Sequence, residues 1–288
     1  MPELPEVETV RLQLLHKVLG RRIKKIEVFN PKTVANNTEF ANQIKNKTIS
    51  HIDRVGKLLI FNFKNEKNFF LLAHLKMTGQ FLFVDKSKQV SGGGHLIQDA
   101  NTKDLPNRHT RVAFHFVDGT SLFFNDMRKF GYIYTADAET VKKARGRFGQ
   151  EPIHDNFDIE NFTTGIKRRK TPIKAALLDQ TFIAGLGNIY VDETLFLAGV
   201  RPDRKSHLVT KKEAEAIAKA SGKVMKDSIA VGGTTFQHFK DTGGKNGNYT
   251  DYLKVFGKQN TPCPNCGTII EKTRVAGRGT HFCPKCQK

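Results

Sequence analysis

The chain has 288 residues, 38% hydrophobic and 26% charged. That length admits more than one domain with a real core, and the absence of any apolar run near the ~20 residues of a membrane span argues for a soluble globular protein. With 47 Lys and Arg against 28 Asp and Glu, the formal charge is +19. The basic residues run along the whole chain. They fit a polyanion binder, with nucleic acid the first candidate; a basic protein with no special partner is the plainer alternative. The opening MPELPEVETV lacks the basic-then-apolar order of a signal peptide, so a cytoplasmic protein is expected.

Residues 4–19 read as a helix. Pro5 suits a first turn, Glu6 and Glu8 suit the positive end of the helix dipole, and Val7, Val10, Leu14 and Val18 recur at helical spacing before Gly20. Residues 21–134 read mostly as strands: 23–29, 57–63, 69–75, 80–84, 111–117 and 121–126, rich in Phe and β-branched residues, with Asp118-Gly119 as a hairpin turn. Six or more short strands predict an antiparallel sandwich or barrel. Residues 86–108, with Ser91-Gly92-Gly93-Gly94, are expected to form a long surface loop, and 135–157 an irregular linker.

Helical patterning follows. Thr171-Pro172 opens a helix over 172–183, Asn188 can cap a helix that ends at Gly199, and Thr210 with Glu213 forms a capping box for a helix to about 230. Gly232-Gly233 closes that helix, and a second glycine-rich loop spans 241–249. The expected division is 1–134, a linker 135–157, 158–252 and 253–288.

All four cysteines lie at or beyond residue 263, as Cys263-Pro-Asn-Cys266 and Cys283-Pro-Lys-Cys286. Two C-x₂-C knuckles at this spacing fit one tetrahedral Zn²⁺ with no open position, hence a structural metal; two thiol or disulfide pairs are the alternative. The stretch between them alternates like a β-hairpin, with Arg278 near its tip.

The N-terminus is unusual. If Met1 is removed, Pro2 becomes a secondary α-amine, whose pKa of ~7.7–8.0 lies far below lysine's ~10.4. Such an amine can form an imine at a carbonyl-like carbon, and Glu3 beside it can serve as acid or base. Read from the residues alone, an acidic helix cap is the simpler account.

MPELPEVETV resembles the N-terminal signature of the bacterial formamidopyrimidine-DNA glycosylases. His74-Leu-Lys-Met-Thr-Gly79, Asp126-Met-Arg-Lys-Phe-Gly131, Leu178-Asp-Gln180, Gly185-Leu-Gly-Asn-Ile-Tyr190, Gly232-Gly-Thr-Thr235 and the terminal RGTHFCPKCQK resemble further motifs of that family, in the family's order and over essentially the whole chain. The resemblance implies an α+β multidomain fold: an N-terminal β-sandwich with flanking helices, a helix–two-turns–helix domain and a zinc-finger hairpin. It implies excision of oxidised purines (8-oxoguanine and formamidopyrimidines) from duplex DNA through a Pro2 Schiff base, followed by β- and δ-elimination. The base would be flipped from the helix, because it cannot be reached inside it. Met77, Arg128 and Phe130 match residues that fill the gap, although side chains such as Met77 and Phe130 more often face a core. Lys57 matches a lysine of the β-elimination step and Arg278 an arginine of δ-elimination, and both could instead be phosphate clamps. His109, Arg128 and Arg169 match DNA-contacting positions, joined by His74 and Asn188. The related endonuclease VIII type, which removes oxidised pyrimidines, is the near alternative; Leu4 and the Met77, Arg128, Phe130 set favour the purine branch. A non-catalytic zinc-ribbon DNA-binding protein is the alternative of another class. The 86–107 segment is longer than usual for the family. A monomer acting on nucleoid DNA is expected.

Overall fold

The computed structural model describes residues 2–94, 104–234 and 249–288. The chain divides into two compact units, Met1–Gly146 with Gly232–Asn248, and Arg147–Val231 with Tyr249–Lys288.

The first unit opens with α1 (Leu4–Val18), β1 (Ile23–Val28) and the short α2 (Phe40–Ile44). Strands β2 (Ile49–Val55), β3 (Leu58–Phe63), β4 (Phe70–His74), β5 (Gly79–Val84), β6 (Val90–Gly94), β7 (Thr110–Phe116), β8 (Ser121–Asp126) and β9 (Tyr132–Ala136) follow, then α3 (Ala138–Gly146). They form two antiparallel sheets, β1-β7-β8-β5-β6 and β2-β3-β4-β9. This is the sandwich expected from the dense Phe and β-branched segments. Phe61 of the smaller sheet meets Phe81 of the larger edge-on at 5.8 Å, and Phe81 meets Phe124 at 5.1 Å. Val7, Val10, Leu14 and Val18 of α1 are buried in the same core. Truncating a buried ring such as Phe81 to Ala would cost about 3–5 kcal/mol.

Two parts of this unit differ from expectation. The first half of the expected 86–108 loop holds β6, which pairs with β5 from Val84↔Val90 to Gln80↔Gly94. Gly92 lies so close to β5 that a Cβ there would stand 2.4 Å from the Phe81 carbonyl. Gly92 therefore permits strand packing rather than breaking it; residues 95–103 lie outside the described residues. The expected linker contains α3, started by Asp137 Oδ1 accepting from Thr140 N–H at 2.8 Å. Val141 is its one buried side chain, so no apolar period announces it. Strands β2 and β9 fall in or at the end of the stretch expected to be mostly strand, although neither is a dense apolar run: β2 is half polar, and β9 follows directly on a loop.

The second unit contains α4 (Ile159–Lys167), α5 (Ile173–Leu178), α6 (Asn188–Ala198), α7 (Lys211–Ala230), β10 (Glu271–Val275) and β11 (Arg278–Phe282). The capping box of α7 is present: Glu213 N–H donates to Thr210 Oγ1, and Thr210 N–H donates to Glu213 Oε2. Gly199 ends α6 at φ +71°. Helix α5 stops five residues before the expected 183 and is flanked by Pro172 rather than capped by Thr171. Asp179 leaves the helical region and accepts from Thr181 N–H and Oγ–H, while Gln180 bonds the carbonyls of Leu178 and Leu186 and the N–H of Gly185. These bonds build two turns between α5 and α6. Asn188 is the first residue of α6 rather than its cap, which is Gly187. Strands β10 and β11 form the expected hairpin through Ala276 and Gly277, at φ +48° and +74°, the mirror-image turn that suits two-residue loops. Among the described residues no helix is long and apolar enough to cross a membrane.

Candidate active site and nucleic-acid interface

In the first unit, Pro2 and Glu3 are buried immediately before α1. Glu6, fully buried, accepts from Glu3 N–H at 2.8 Å through Oε2, which closes the first turn. Its other oxygen accepts from Thr234 N–H at 2.9 Å and Thr234 Oγ–H at 3.0 Å. The head of α1 is thus bonded to the Gly232–Thr234 segment, where Gly233 takes φ +82° and a Cβ would crowd the Glu6 carboxylate, 3.0 Å from Oε1. One turn on, Glu8 accepts from Arg11 and from Arg54 Nε at 2.8 Å, and Arg54 Nη1 reaches the Gly56 carbonyl at 2.9 Å. Burial pushes the Glu8 carboxyl up, but the two guanidinium groups outweigh it and hold it below the usual range. This links α1, which Glu3 caps, to the two-residue β2–β3 turn that carries Lys57, itself buried.

Across the β3–β4 pairing, Leu58 stands opposite His74. His74 Nδ1 accepts from Lys76 N–H at 2.9 Å, and burial, then the charges of Lys76 and Lys57, lower its pKa to about 3. The imidazole is therefore neutral with its proton on Nε2, free to donate.

Two loops of the larger sheet are tied together by Asp126. Its buried carboxylate accepts from Gly131 N–H at 2.6 Å, Arg128 N–H at 3.1 Å and the Thr78 hydroxyl, and Thr78 Oγ1 accepts from Arg128 N–H at 3.0 Å. Arg111 Nε donates to the Asp126 carbonyl at 2.7 Å and Arg111 Nη1 to the Arg108 carbonyl, while Asp126 N–H donates to the His109 carbonyl. The loops at 75–79, 107–111 and 126–131 are one bonded assembly. It presents Met77 and Phe130, 37% and 52% exposed, so the core placement usual for such side chains does not hold here. Arg128 lies between them, with Nη1 3.1 Å from Met77 Sδ and its guanidinium 4.8 Å from the Phe130 ring centroid. His109, half-buried in the same assembly, has its pKa lowered by burial and by Arg108 and Arg111.

In the second unit, the four Sγ atoms lie within 4.8 Å of one another, Cys263 to Cys286 at 3.9 Å and Cys266 to Cys283 at 3.5 Å. Sulfurs ~2.3 Å from a tetrahedral zinc are separated by roughly 3.8 Å, and a disulfide needs ~2.05 Å. The donor set fits one structural Zn²⁺. Arg278 is exposed at the start of β11. Asn188 Nδ2 donates to the Gly279 carbonyl at 3.0 Å, and its Oδ1 has no partner among the described residues. Arg169 is already engaged: its guanidinium lies 3.7 Å from the Phe182 ring centroid, 3.8 Å from Asp179 Oδ2, and Nη1 bonds the Gly165 carbonyl.

The named residues thus fall into two sets. Pro2, Glu3, Lys57, His74, Met77, His109, Arg128 and Phe130 belong to the first unit, and Arg169, Asn188, Arg278 and the cysteines to the second. Sequence reasoning missed the residues that hold them: Arg54, Thr78, Arg111, Lys174 and Asp192. The last two are buried charges; α6, which carries Asp192, has no distinct polar face, the mark of a buried helix, and α5 gives no such signal for Lys174.

Residues 1–133 match the formamidopyrimidine-DNA glycosylase N-terminal domain, 148–240 the H2TH domain of the same enzymes, and 261–288 the zinc finger found in FPG and IleRS. The formamidopyrimidine-DNA glycosylase of Listeria monocytogenes is 40% identical, with both chains covered in full, and that of Mycoplasma mobile 39% identical over 100% of this chain and 99% of its own. The crystal structure of Lactococcus lactis Fpg with a Fapy-dG-containing DNA superposes with a TM-score of 0.85 at 32% identity, covering 99% of this chain and 100% of that one. The chain belongs to the formamidopyrimidine-DNA glycosylase family.

Proposed function

We propose that this protein is a bifunctional DNA glycosylase and abasic-site lyase that removes oxidised purines, 8-oxoguanine and formamidopyrimidines, from duplex DNA, using the Pro2 nitrogen as nucleophile. The observation that carries the reading is the junction at the head of α1, where Glu6 bonds both Glu3 and Thr234. It gives the N-terminal residues a fixed place that a frayed terminus would lack.

With Met1 removed, Pro2 carries a free secondary amine. Its lone pair attacks C1′ of the flipped nucleotide, and the bond from C1′ to the base breaks with a proton supplied to the departing base. Glu3 protonates the sugar ring oxygen as the ring opens, which leaves an iminium between Pro2 and C1′. The iminium acidifies the C2′ proton; its loss expels the 3′ phosphate, and a second elimination expels the 5′ phosphate. Lys57 serves the first elimination and Arg278 the second. His74, His109, Arg169 and Asn188 hold the DNA backbone, while Met77 and Phe130 wedge between bases and Arg128 bonds the widowed partner base. Zinc supplies no chemistry to these steps; it holds the hairpin together. The protein acts as a monomer on cytoplasmic DNA.

Borohydride trapping tests the reading. The Met-processed protein on an 8-oxoguanine duplex should give a covalent adduct that mass spectrometry places on the N-terminal peptide. An adduct on a lysine would refute the nucleophile, and no adduct would favour a non-catalytic binder. Faster incision of thymine glycol than of 8-oxoguanine would move the protein to the endonuclease VIII type.

A further inference from the structure

The hairpin that carries Arg278 is gripped by side chains with no part in the chemistry above. Lys174 of α5 is fully buried. Its ammonium has three acceptors: Asp192 Oδ1 of α6 at 2.7 Å, the Gly279 carbonyl at 3.0 Å and Thr280 Oγ1 at 2.9 Å. The Thr280 hydroxyl donates onward to the Arg278 carbonyl at 3.0 Å. The other oxygen of Asp192 accepts from His281 N–H at 2.9 Å and lies 3.3 Å from His281 Nδ1. A continuous chain of bonds therefore runs from a buried helix carboxylate through Lys174 and Thr280 to the backbone of Arg278.

A two-stranded hairpin of five-residue strands has little stability or fixed orientation of its own. The thiolates fix its base, before β10 and after β11. The strand ends beside Arg278 flank the turn directly, at the opposite end of the hairpin from the thiolates, and need a separate support. A charged lysine with every proton bonded and a carboxylate accepting on both oxygens is a stiff one, because any movement would leave a buried charge unpaired.

We infer that Lys174, Asp192 and Thr280 form a positioning relay that sets where the Arg278 guanidinium stands, and through it the balance between the second and first eliminations. The inference rests on the role given to Arg278 in the proposed function. Removing Lys174 alone would strand the Asp192 carboxylate, so the discriminating variant is Thr280→Val, which keeps the shape and loses the hydroxyl; Thr280→Ser restores it.

Each variant, checked for one zinc per chain, is read in two ways. Hydrogen exchange reports residues 276–280, and single-turnover reaction on an abasic duplex gives the ratio of δ- to β-elimination products. Thr280→Val should exchange faster there, and its product ratio should fall roughly two- to thirtyfold, with Thr280→Ser close to the parent in both. Parent-like exchange in Thr280→Val overturns the relay. So does faster exchange with an unchanged ratio, provided Arg278→Ala shifts that ratio. If Arg278→Ala leaves the ratio unchanged, the chemical role of Arg278 falls instead, and exchange alone decides the relay.

Discussion

The carboxylate of Glu6 accepts both the backbone N–H and the hydroxyl of Thr234, residues 228 positions apart in the chain. With Oε2 accepting from Glu3 N–H, both oxygens of this buried carboxylate are bonded. Glu6→Ala leaves two buried N–H groups unpaired and should cost about 3 kcal/mol. Glu6→Gln must turn its NH₂ towards one of those donors and should cost about 1–2 kcal/mol. Urea midpoints measure both, and an Ala variant as stable as the parent would show that the junction does not hold the N-terminus.

Asp126 should matter to DNA binding without touching DNA. Its carboxylate holds Gly131, Arg128 and Thr78 in one arrangement, and that arrangement exposes Met77 and Phe130. Asp126→Asn keeps one acceptor oxygen but sets an amide N–H against a donor. The expected result is about tenfold weaker binding to a duplex with a tetrahydrofuran abasic site, equivalent to ~1.4 kcal/mol, with little change on undamaged duplex. An equal loss on both duplexes would mean that Asp126 supports the fold rather than the wedge.

The sandwich was legible because its strands are runs of Phe, Leu, Ile and Val, a pattern that burial on both faces of a strand imposes. The zinc knuckles and the α7 capping box were legible because each is a local spacing. Local signals failed where a distant contact decided the outcome. Gly92 reads as loop, yet it is the closeness of β5 that requires it. Met77 and Phe130 read as core by composition, yet they follow Lys76 and Lys129, which take positive φ of 52° and 60° in turns fixed by Asp126. Nothing local in the sequence marks Lys174 and Asp192 as buried partners; it is the return of the hairpin, 105 residues after Lys174, that brings the acceptors and donors they bond.

His74 makes stability depend on pH in a definite direction. Its folded pKa of about 3 lies below the ordinary 6.5, because burial and then Lys76 and Lys57 disfavour the cation. Between these values the unfolded chain binds a proton that the folded protein does not. The stabilisation is therefore complete above pH 6.5 and lost as pH falls towards 3. From pH 8 to pH 5 the loss from this residue is about 2 kcal/mol. His74→Gln can still accept from Lys76 N–H and should flatten the profile by that amount in paired denaturation curves at pH 8 and 5. His109 contributes in the same direction, so the difference between variant and parent is the readout. Parallel curves would mean that the imidazole is protonated in the folded state.

The phosphate contacts can be counted through salt. If Lys57, Arg169 and Arg278 each neutralise one phosphate, the affinity for a damaged duplex should fall about fortyfold between 50 and 200 mM salt, from a slope near −0.9 per contact. The three should not behave alike when removed. Arg278 is exposed and its guanidinium has no protein hydrogen bond among the described residues, so Arg278→Gln should flatten the slope by about 0.9. Arg169 already stacks on Phe182, bonds Gly165 and lies 3.8 Å from Asp179, which partly neutralises its charge before DNA arrives. Arg169→Gln should therefore change the slope by clearly less than Arg278→Gln, while losing stability with the stacking contact. Equal slope changes would show that Arg169 leaves Asp179 on binding and meets a phosphate with its full charge.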